Sequence, residues 1–406
     1  MKDKVHDIPY CGVRQAVIDR AVPKLDQRIV DLAYEWMHER YRIHVRKDVE
    51  CLPSPWTSNP ILRQVKFCNV RREHDRQSLN LVKHIVEHPT LSLADKMFNC
   101  VLFRMYNLWD PIEALGGPWT IKQFAQLDLF KAETALKAFE EKGGKVFTNA
   151  FNTGGLKQCL AFPEMVVNHK EQRFGGMMVK VFEHEGPCQF FIGEMDYKEA
   201  KKLAEANPGV VTIEGWEPYM PMRVIRSLKA FVIKHPHYFD RLKEFSRPDS
   251  VYQAMYDDIE GLGPFLAYQI WVDFTYNADY PFSENHFTIA GPGCRAGIDL
   301  MFTDKAGMTH EECIFWIRDN QDKLFAHLGY NRAEFWSAEA PEDQAMNVMQ
   351  LENLFCELQK YERCTVAIKE GKKPRGKVGY NGGDPLQPVA VKSGSVNLLE
   401  RMKGKS

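Results

Sequence analysis

Three short stretches of the chain carry residue types and spacings suited to holding an anion. The first is Ile259-Glu260-Gly261-Leu262-Gly263-Pro264-Phe265-Leu266-Ala267. An apolar helical pattern runs into Gly-Leu-Gly, and a second helical pattern starts at once. Glycine allows the tight turn and positive φ, and Pro264 suits a first helical turn, where a missing N–H costs nothing. The amides of Gly261, Leu262 and Gly263, with the helix start at Pro264, then face outward as an anion site. A helix-hairpin-helix of this kind grips a DNA backbone phosphate without reading sequence. A plain corner between two helices gives the same local pattern. The second stretch is Gly291-Pro292-Gly293-Cys294-Arg295-Ala296-Gly297, a glycine-rich turn that opens a predicted helix and carries Arg295. It suits an oxyanion or phosphate, but lacks the Gly-Lys-Ser/Thr ending of a P-loop. The third, 67–76, reads as helical. There Asn69, Arg72 and Arg76 share one face, a stripe able to grip phosphate bidentately. With Glu73 and Asp75 among them, the stretch also reads as a solvated charged face.

The elements that must position these residues are mostly helical. Residues 23–42 form an amphipathic pattern starting at Pro23, with Leu25, Ile29, Leu32, Ala33 and Trp36 on one side. Helices are predicted over 61–86, 92–107, 120–126 and 128–142, the last capped by Asp128 and stopped by Gly143-Gly144. The texture then changes. Strands are predicted at 179–186 and 188–192, a helix at 197–207 and a third strand at 210–213. Helices resume at 220–246 and 249–259. Residues 351–363 read as a helix with Leu351, Leu354, Phe355 and Leu358 buried; Glu357, Lys360 and Tyr361 then either face a site or serve only in core packing and surface salt bridges. The expected organisation is an N-terminal helical part (1–175), a small α+β insertion (176–216), a second helical part with the hairpin (217–365) and a basic tail (366–406).

Charge is unevenly spread. Residues 365–406 hold nine Lys/Arg and three acids, net +6, which leaves −7 on the rest of a chain whose total is −1. A basic tail on an acidic body is a source of phosphate affinity, or merely a solvated tail. The ten cysteines form no Cys-x-x-Cys pair and read as reduced, mostly buried thiols. They also lack the spacing of an iron–sulfur site. No apolar run is long enough to span a bilayer and no signal peptide is evident, so a cytoplasmic protein without membrane partners is expected.

Taken in order, the motifs resemble a known group. Pro55-Trp56-Thr57, Phe67-Cys68-Asn69-Val70 with Arg72-Glu73 and Asp75-Arg76, and Gly261-Leu262-Gly263-Pro264 with Asp273 are the first pieces. Gly291-Pro292-Gly293-Cys294-Arg295 and Cys356-Glu357 with Lys360-Tyr361 complete the set. The chain is similar to the α-glutamyl/putrescinyl thymine pyrophosphorylase family, with its amino acid:DNA transferases and the helical domain found beside hydroxymethyluracil DNA kinases. The resemblance implies a mainly α, helix-hairpin-helix fold of the DNA-glycosylase type; the small α+β insertion and the basic tail do not map onto the family. It implies double-stranded DNA carrying a modified thymine as substrate, an amino acid or polyamine as co-substrate, and a functional link to a hydroxymethyluracil DNA kinase of a bacteriophage, acting in the host cytoplasm. The (pyro)phosphate of a 5-(pyro)phosphomethyl-deoxyuridine is displaced by the amine, with the base flipped from the duplex.

Glycosylases with the hairpin carry a catalytic acid a little over twenty residues beyond its first glycine, and Glu284 occupies that window here. Phe265 stands where bifunctional members carry a nucleophilic lysine, so Schiff-base lyase chemistry is not expected. On the transferase reading, Glu284, Asp273 and His286 are candidate bases for the amine. Asn69, Arg72, Asp75, Arg76, Gly291, Gly293, Arg295 and Lys360 are candidates for the phosphate and substrate. Gly261, Leu262, Gly263 and Pro264 would hold DNA. No metal-ligand spacing appears, no cofactor is expected, and Mg²⁺ bound through a phosphate has no support in the sequence. A monofunctional base-excision glycosylase with Glu284 activating water, and a non-catalytic DNA-binding module, are the competing expectations.

Overall fold

The computed structural model describes residues 13–148, 168–174, 177–183, 189–192, 220–331 and 346–374. Helix α1 (Gln15–Arg20) leads through a two-residue strand, β1 (Lys24–Leu25), to α2 (Gln27–His44). The Asp26 carboxylate accepts from the Arg28 and Ile29 amides. This cap satisfies otherwise orphaned donors, so the helix begins there and not at Pro23. The continuous helix expected over 61–86 does not form. Residues 66–71 are irregular, Arg72–His74 make a single 3-10 turn, and α3 (Arg76–Leu81) widens into a π-helical turn over Val82–Val86. The reason lies in the charges. Arg71 and Glu73, both buried, pair with each other two residues apart, and side chains two apart on a helix do not face each other. The shared helical face of Asn69, Arg72 and Arg76 is therefore corrected.

Helix α4 (Leu93–Tyr106) starts at a capping box of Ser92 and Asp95 and ends at Asn107 in the left-handed conformation. Helices α5 (Asp110–Ala114), α6 (Ile121–Ala125) and α7 (Leu129–Glu141) follow, with Thr120 and Asp128 capping the last two. Gly143, at φ +84°, closes α7 where the sequence placed its stop. Strands β2 (Asn168–Phe174), β3 (Met177–Glu183) and β4 (Gln189–Ile192) form an antiparallel sheet in that order. Two of them fall on predicted strands. The first precedes the expected insertion at 176, and the predictions at 197–207 and 210–213 lie outside the described residues. Helices α8 (Met220–Lys234) and α9 (Tyr238–Leu242) replace the single helix expected over 220–246. Pro236 supplies no N–H and disfavours helical geometry at His235. Then come α10 (Pro248–Asp258), α11 (Pro264–Thr275), α12 (Pro292–Met301), β5 (Phe302–Asp304), α13 (His310–Phe325) and α14 (Val348–Lys369). The described part is mainly helical. Most of the expected basic tail, 375–406, lies outside it.

The chain folds as two units, each assembled from non-contiguous segments. Unit 1 comprises Met1–Leu79, Arg247–Asp249 and Phe282–Ser406; unit 2 comprises Asn80–Ser246 and Ser250–Pro281. In unit 1, Trp36, Phe67, Ile298, Phe315, Leu354, Phe355 and Tyr361 belong to one core cluster. Strands β1 and β5 pair antiparallel at its edge. Helices α12 and α14 cross there at backbone distance: a Cβ added to Gly297 would stand 2.1 Å from the Phe355 carbonyl oxygen. Only glycine permits that approach.

In unit 2, α4 is buried almost all round and packs against α8, α9 and α11, as expected of a central helix. Its Arg104 forms a salt bridge with Asp273 of α11, including an Nη2···Oδ1 contact of 2.6 Å, and also donates to Asn107 at 2.9 Å. Between α10 and α11 lies the predicted corner. Gly261 has φ +86°, Gly263 is the N-cap and Pro264 the first residue of α11. Leu262 is buried, while Gly263 and Pro264 are exposed.

Candidate functional site in unit 1

Residues 282–287 form a loop braced from inside. His286 Nδ1 accepts from the Ser283 amide at 2.7 Å, and the His286 amide donates to the Ser283 carbonyl at 3.0 Å. The ring thereby holds the loop, and its Nδ1 is occupied. The first turn of α14 then seizes the loop. Asn347 Nδ2 donates to Glu284 Oε2 at 2.6 Å, and the Val348 amide donates to Asn285 Oδ1 at 3.1 Å. Asn347 Oδ1 meanwhile caps α14, accepting from the Gln350 amide at 2.8 Å. That cap fixes which end of the Asn347 amide faces Glu284. The other carboxylate oxygen, Glu284 Oε1, is buried and receives no hydrogen bond among the described residues. Burial, and next the charge of Glu73, push the Glu284 carboxyl up to about 8, against the opposing pull of Arg72, Arg71 and Asn347.

The irregular 66–76 segment supplies those charges. Arg71 Nε donates to Glu73 Oε1 at 2.6 Å, and Nη2 reaches the same oxygen at 2.5 Å. Glu73 Oε2 is buried without a partner among the described residues. Burial is the largest single influence and would raise the Glu73 carboxyl, but Arg71, His74 and a backbone hydrogen bond together hold the group below its usual value. His74 stacks on His44 with ring centroids 3.9 Å apart, and burial drives its imidazole down to about 3. Asn69 is a hub. It accepts from Arg40 at 2.6 Å, donates to Asp75 at 2.7 Å, and its carbonyl accepts from Asn353 of α14 at 3.0 Å. Burial raises the Asp75 carboxyl despite Asn69, Arg72 and Arg40. Arg76 is exposed.

The glycine-rich turn already holds an anion, and it is the protein's own. Glu352 of α14 takes a backbone hydrogen bond from Gly291, the N-cap of α12, and a second from the Cys356 thiol at 3.4 Å. Burial pushes the Glu352 carboxyl up to about 7. Gly293 lies close to Cys356, with 3.5 Å from an added Cβ to Sγ. Arg295, expected to face the same anion, turns back instead. Its Nε donates to the Ala290 carbonyl at 2.8 Å, and the side chain is 56 % exposed. One turn further along α14, Lys360 contacts Glu357 at 2.5 Å and donates to the Lys66 carbonyl at 3.1 Å. Tyr361 donates to Glu35 and accepts from Asn59.

Of the predicted site residues, Asn69, Arg72, Asp75, Glu284, His286, Gly291, Gly293 and Lys360 therefore lie in unit 1, on a few elements that contact one another; Arg76 and Arg295 belong to the same unit but are exposed. Asp273 and the 261–264 corner belong to unit 2, where Asp273 is fully buried against Arg104. A carboxylate so placed is bound in a structural ion pair and is not exposed to a substrate. Sequence reasoning passed over Arg71, Asn347 and Glu352, and took Glu73 only as a motif member and a surface charge. Asn347 was findable, since Asn-x-x-Gln ahead of an apolar run is a capping-box signature. Glu352 was not, because nothing in the pattern of α14 says that this acid faces inward. Among the described residues, no group of three or more His, Cys, Asp or Glu is arranged to hold a metal ion, and no helix is long and apolar enough to cross a membrane.

The chain is similar to a 5-hmdU DNA kinase of Bacillus phage SP10, with 22 % identity over 379 residues. The match covers 90 % of this chain and 50 % of the relative, so the chain spans about half that relative's length. No solved structure matches. A family model for the helical domain of 5-hmdU DNA kinases matches residues 27–370, which takes in every residue of the site described above. The chain belongs to the family of 5-hmdU DNA kinase helical domains.

Proposed function

We propose that the chain acts in the hypermodification of thymine in phage DNA, as an amine:DNA transferase on a 5-(pyro)phosphomethyl-deoxyuridine. The amine nitrogen forms a bond to the 5-methylene carbon. The carbon–oxygen bond to the (pyro)phosphate breaks, and the leaving group departs with the electron pair. The proton lost from the amine passes to Glu284. The observation that carries this reading is the state of Glu284: half-buried, pinned through Oε2 by Asn347, with Oε1 shielded from solvent and without a hydrogen-bond partner among the described residues, and held up to about 8. A carboxyl tuned toward the working pH suits general acid–base work. Arg72, buried and acting on Glu284, Glu352 and Asp75 alike, is the cation best placed to stabilise departing phosphate.

In unit 2, the 261–264 corner, exposed at Gly263 and Pro264, is assigned to the DNA backbone. Asp257 and Asp258 stand exposed just before it, so its hold on phosphate would rest on amide donors and not on net charge. The test is incubation of the protein with duplexes carrying 5-phosphomethyl- or 5-pyrophosphomethyl-uracil and a panel of amines, followed by nucleoside mass spectrometry. Amine-dependent release of phosphate with a matching nucleoside adduct is expected. Abasic sites in place of adducts would establish the glycosylase reading. DNA binding with neither product would leave a non-catalytic module.

A further inference from the structure

Helices α12 and α14 meet along a glycine-lined seam, and two thiols stand in it. A Cβ added to Gly293 would lie 3.5 Å from Cys356 Sγ and 3.9 Å from Cys356 Cα, and one turn on, Gly297 is pressed against the Phe355 carbonyl. A seam this tight brings two backbones within the Cα separation that a disulfide spans, about 4.4–6.8 Å. Cys294 follows Gly293 and is fully buried in the unit 1 core, while Cys356 is half-buried and packs against the same core. Their side chains are hydrogen-bonded to each other. Cys356 commits its proton to Glu352 Oε1, at 3.4 Å, so Cys294 is the donor and Cys356 Sγ the acceptor. The pairing is particular to these two. Cys100, Cys313 and Cys364 are enclosed as well, but carboxylates, lysines and arginines act on them, and among the described residues no second thiol does. The proposed function leaves both sulfurs without a task.

We infer that this pair is a site of reversible thiol modification, in which Cys356 takes up a low-molecular-weight disulfide of the glutathione class and Cys294 resolves the adduct into an intramolecular bridge. In the first step Cys356 Sγ forms a bond to one sulfur of the reagent. The reagent's S–S bond breaks, and the departing sulfur carries off the electron pair and receives the Cys356 proton. In the second step Cys294 Sγ bonds to Cys356 Sγ, the mixed disulfide breaks, and the second departing thiol receives the Cys294 proton. The two cysteines lose two electrons and the reagent gains them. Exposure sets the order. Cys356 is partly open to solvent, whereas Cys294 is enclosed. Burial holds the Cys294 thiol well above the usual range, which makes it inert toward anything not already beside it. Glu352 touches Cys356 and acts on Cys294, so it is the carrier of both protons on the way out. Bridging reaches the candidate site as well. A disulfide sulfur has no proton to donate, so Glu352 keeps the Gly291 amide and loses its thiol donor. None of these steps rests on the transferase reading.

The test is incubation of the full chain at pH 8 with oxidised glutathione, quenching in denaturant with iodoacetamide, and peptide mapping without reduction. A peptide pair joining Cys294 to Cys356 is expected, with loss of two hydrogens and full reversal by dithiothreitol. Cys51 and Cys68, both exposed, should carry glutathione adducts and form no bridge. Cys294→Ser should stop the reaction at a stable glutathione adduct on Cys356, and Cys356→Ser should leave Cys294 unmodified. Should Cys294→Ser fail to fold, Cys294→Ala, which adds no polar atom to the core, takes its place. Three results overturn the inference: an adduct on Cys356 that persists in the parent chain, a Cys356 left unmodified while Cys51 and Cys68 react, or a bridge that forms only in denaturant.

Discussion

Asp273 and Glu284 stand close in sequence, yet the two units treat them oppositely. In unit 2, Asp273 is fully buried and met by the guanidinium of Arg104, which is itself fastened to Asn107. In unit 1, Glu284 is half-buried, and its surroundings are one amide donor, a second carboxylate and the opposing charges of Arg72 and Arg71, which together leave it high. A buried charge with a matched partner holds helices in register. A buried carboxyl without one is costly to the fold and persists where something other than folding needs it. Both were candidate bases on sequence grounds, and the company each keeps tells them apart.

The contrast can be broken most sharply at the unmatched group. Glu284→Gln should lower the amine-transfer rate by about 10²–10⁴-fold, the usual range for a lost general base, while leaving DNA binding by gel shift intact. Retained activity would remove Glu284 from the chemistry. At the matched group, Asp273→Ala strands Arg104 in the interior and should cost roughly 3–5 kcal/mol by denaturant unfolding. Its folded fraction should keep normal transfer activity; a selective loss of rate would return Asp273 to the list of bases.

The pH dependence of stability sharpens the comparison further. The native Glu284 carboxyl sits near 8, above its ordinary 4.5, so the folded state holds a proton that the unfolded state has lost. Its contribution is fully present below about 4.5 and declines as pH rises to 8, by at most about 1.4 kcal/mol per pH unit. Glu284→Gln should therefore gain stability over the parent protein progressively from pH 5 to pH 8. Glu312, paired with Arg14 and held down to about 2, works in the opposite sense. Its contribution is present above its unfolded value and is lost as pH falls toward 2. The smallest effect belongs to Asn347→Ser, which keeps a cap for α14 but cannot reach Glu284. Since Asn347 lowers the Glu284 carboxyl, its loss should move the acidic limb of the pH–rate profile up, by roughly half to one unit. An unmoved profile would reduce Asn347 to a helix cap.

Much of the fold was legible because its signals are local. The helix starts at 92 and 120, the Asp128 cap, the stop at Gly143 and the corner ahead of Pro264 all stood where residue types placed them. The errors came where long-range pairing overrode local pattern. The 61–86 stretch has helical composition, yet Asn69 is claimed by Arg40, Asp75 and Asn353, partners that no periodicity reveals. The site was legible in part for the same reason. Glycine turns, an arginine-rich stretch and the acid at 284 announce themselves by type. That Arg295 turns away and Glu352 takes the place expected for the anion depends on how α12 meets α14.

That meeting point has a consequence of its own. Gly297 lets α12 press directly on the backbone of α14 at Phe355, within a turn of Glu352 and Cys356. A single methyl group there, as in Gly297→Ala, would wedge the two helices apart and pull the Glu352 carboxylate off the Gly291 amide. No ionisable residue would have changed. A survey of inactive variants would then place a residue with no side chain alongside the charged ones, and its importance would be that of a hinge pin: it sets the distance at which everything else operates.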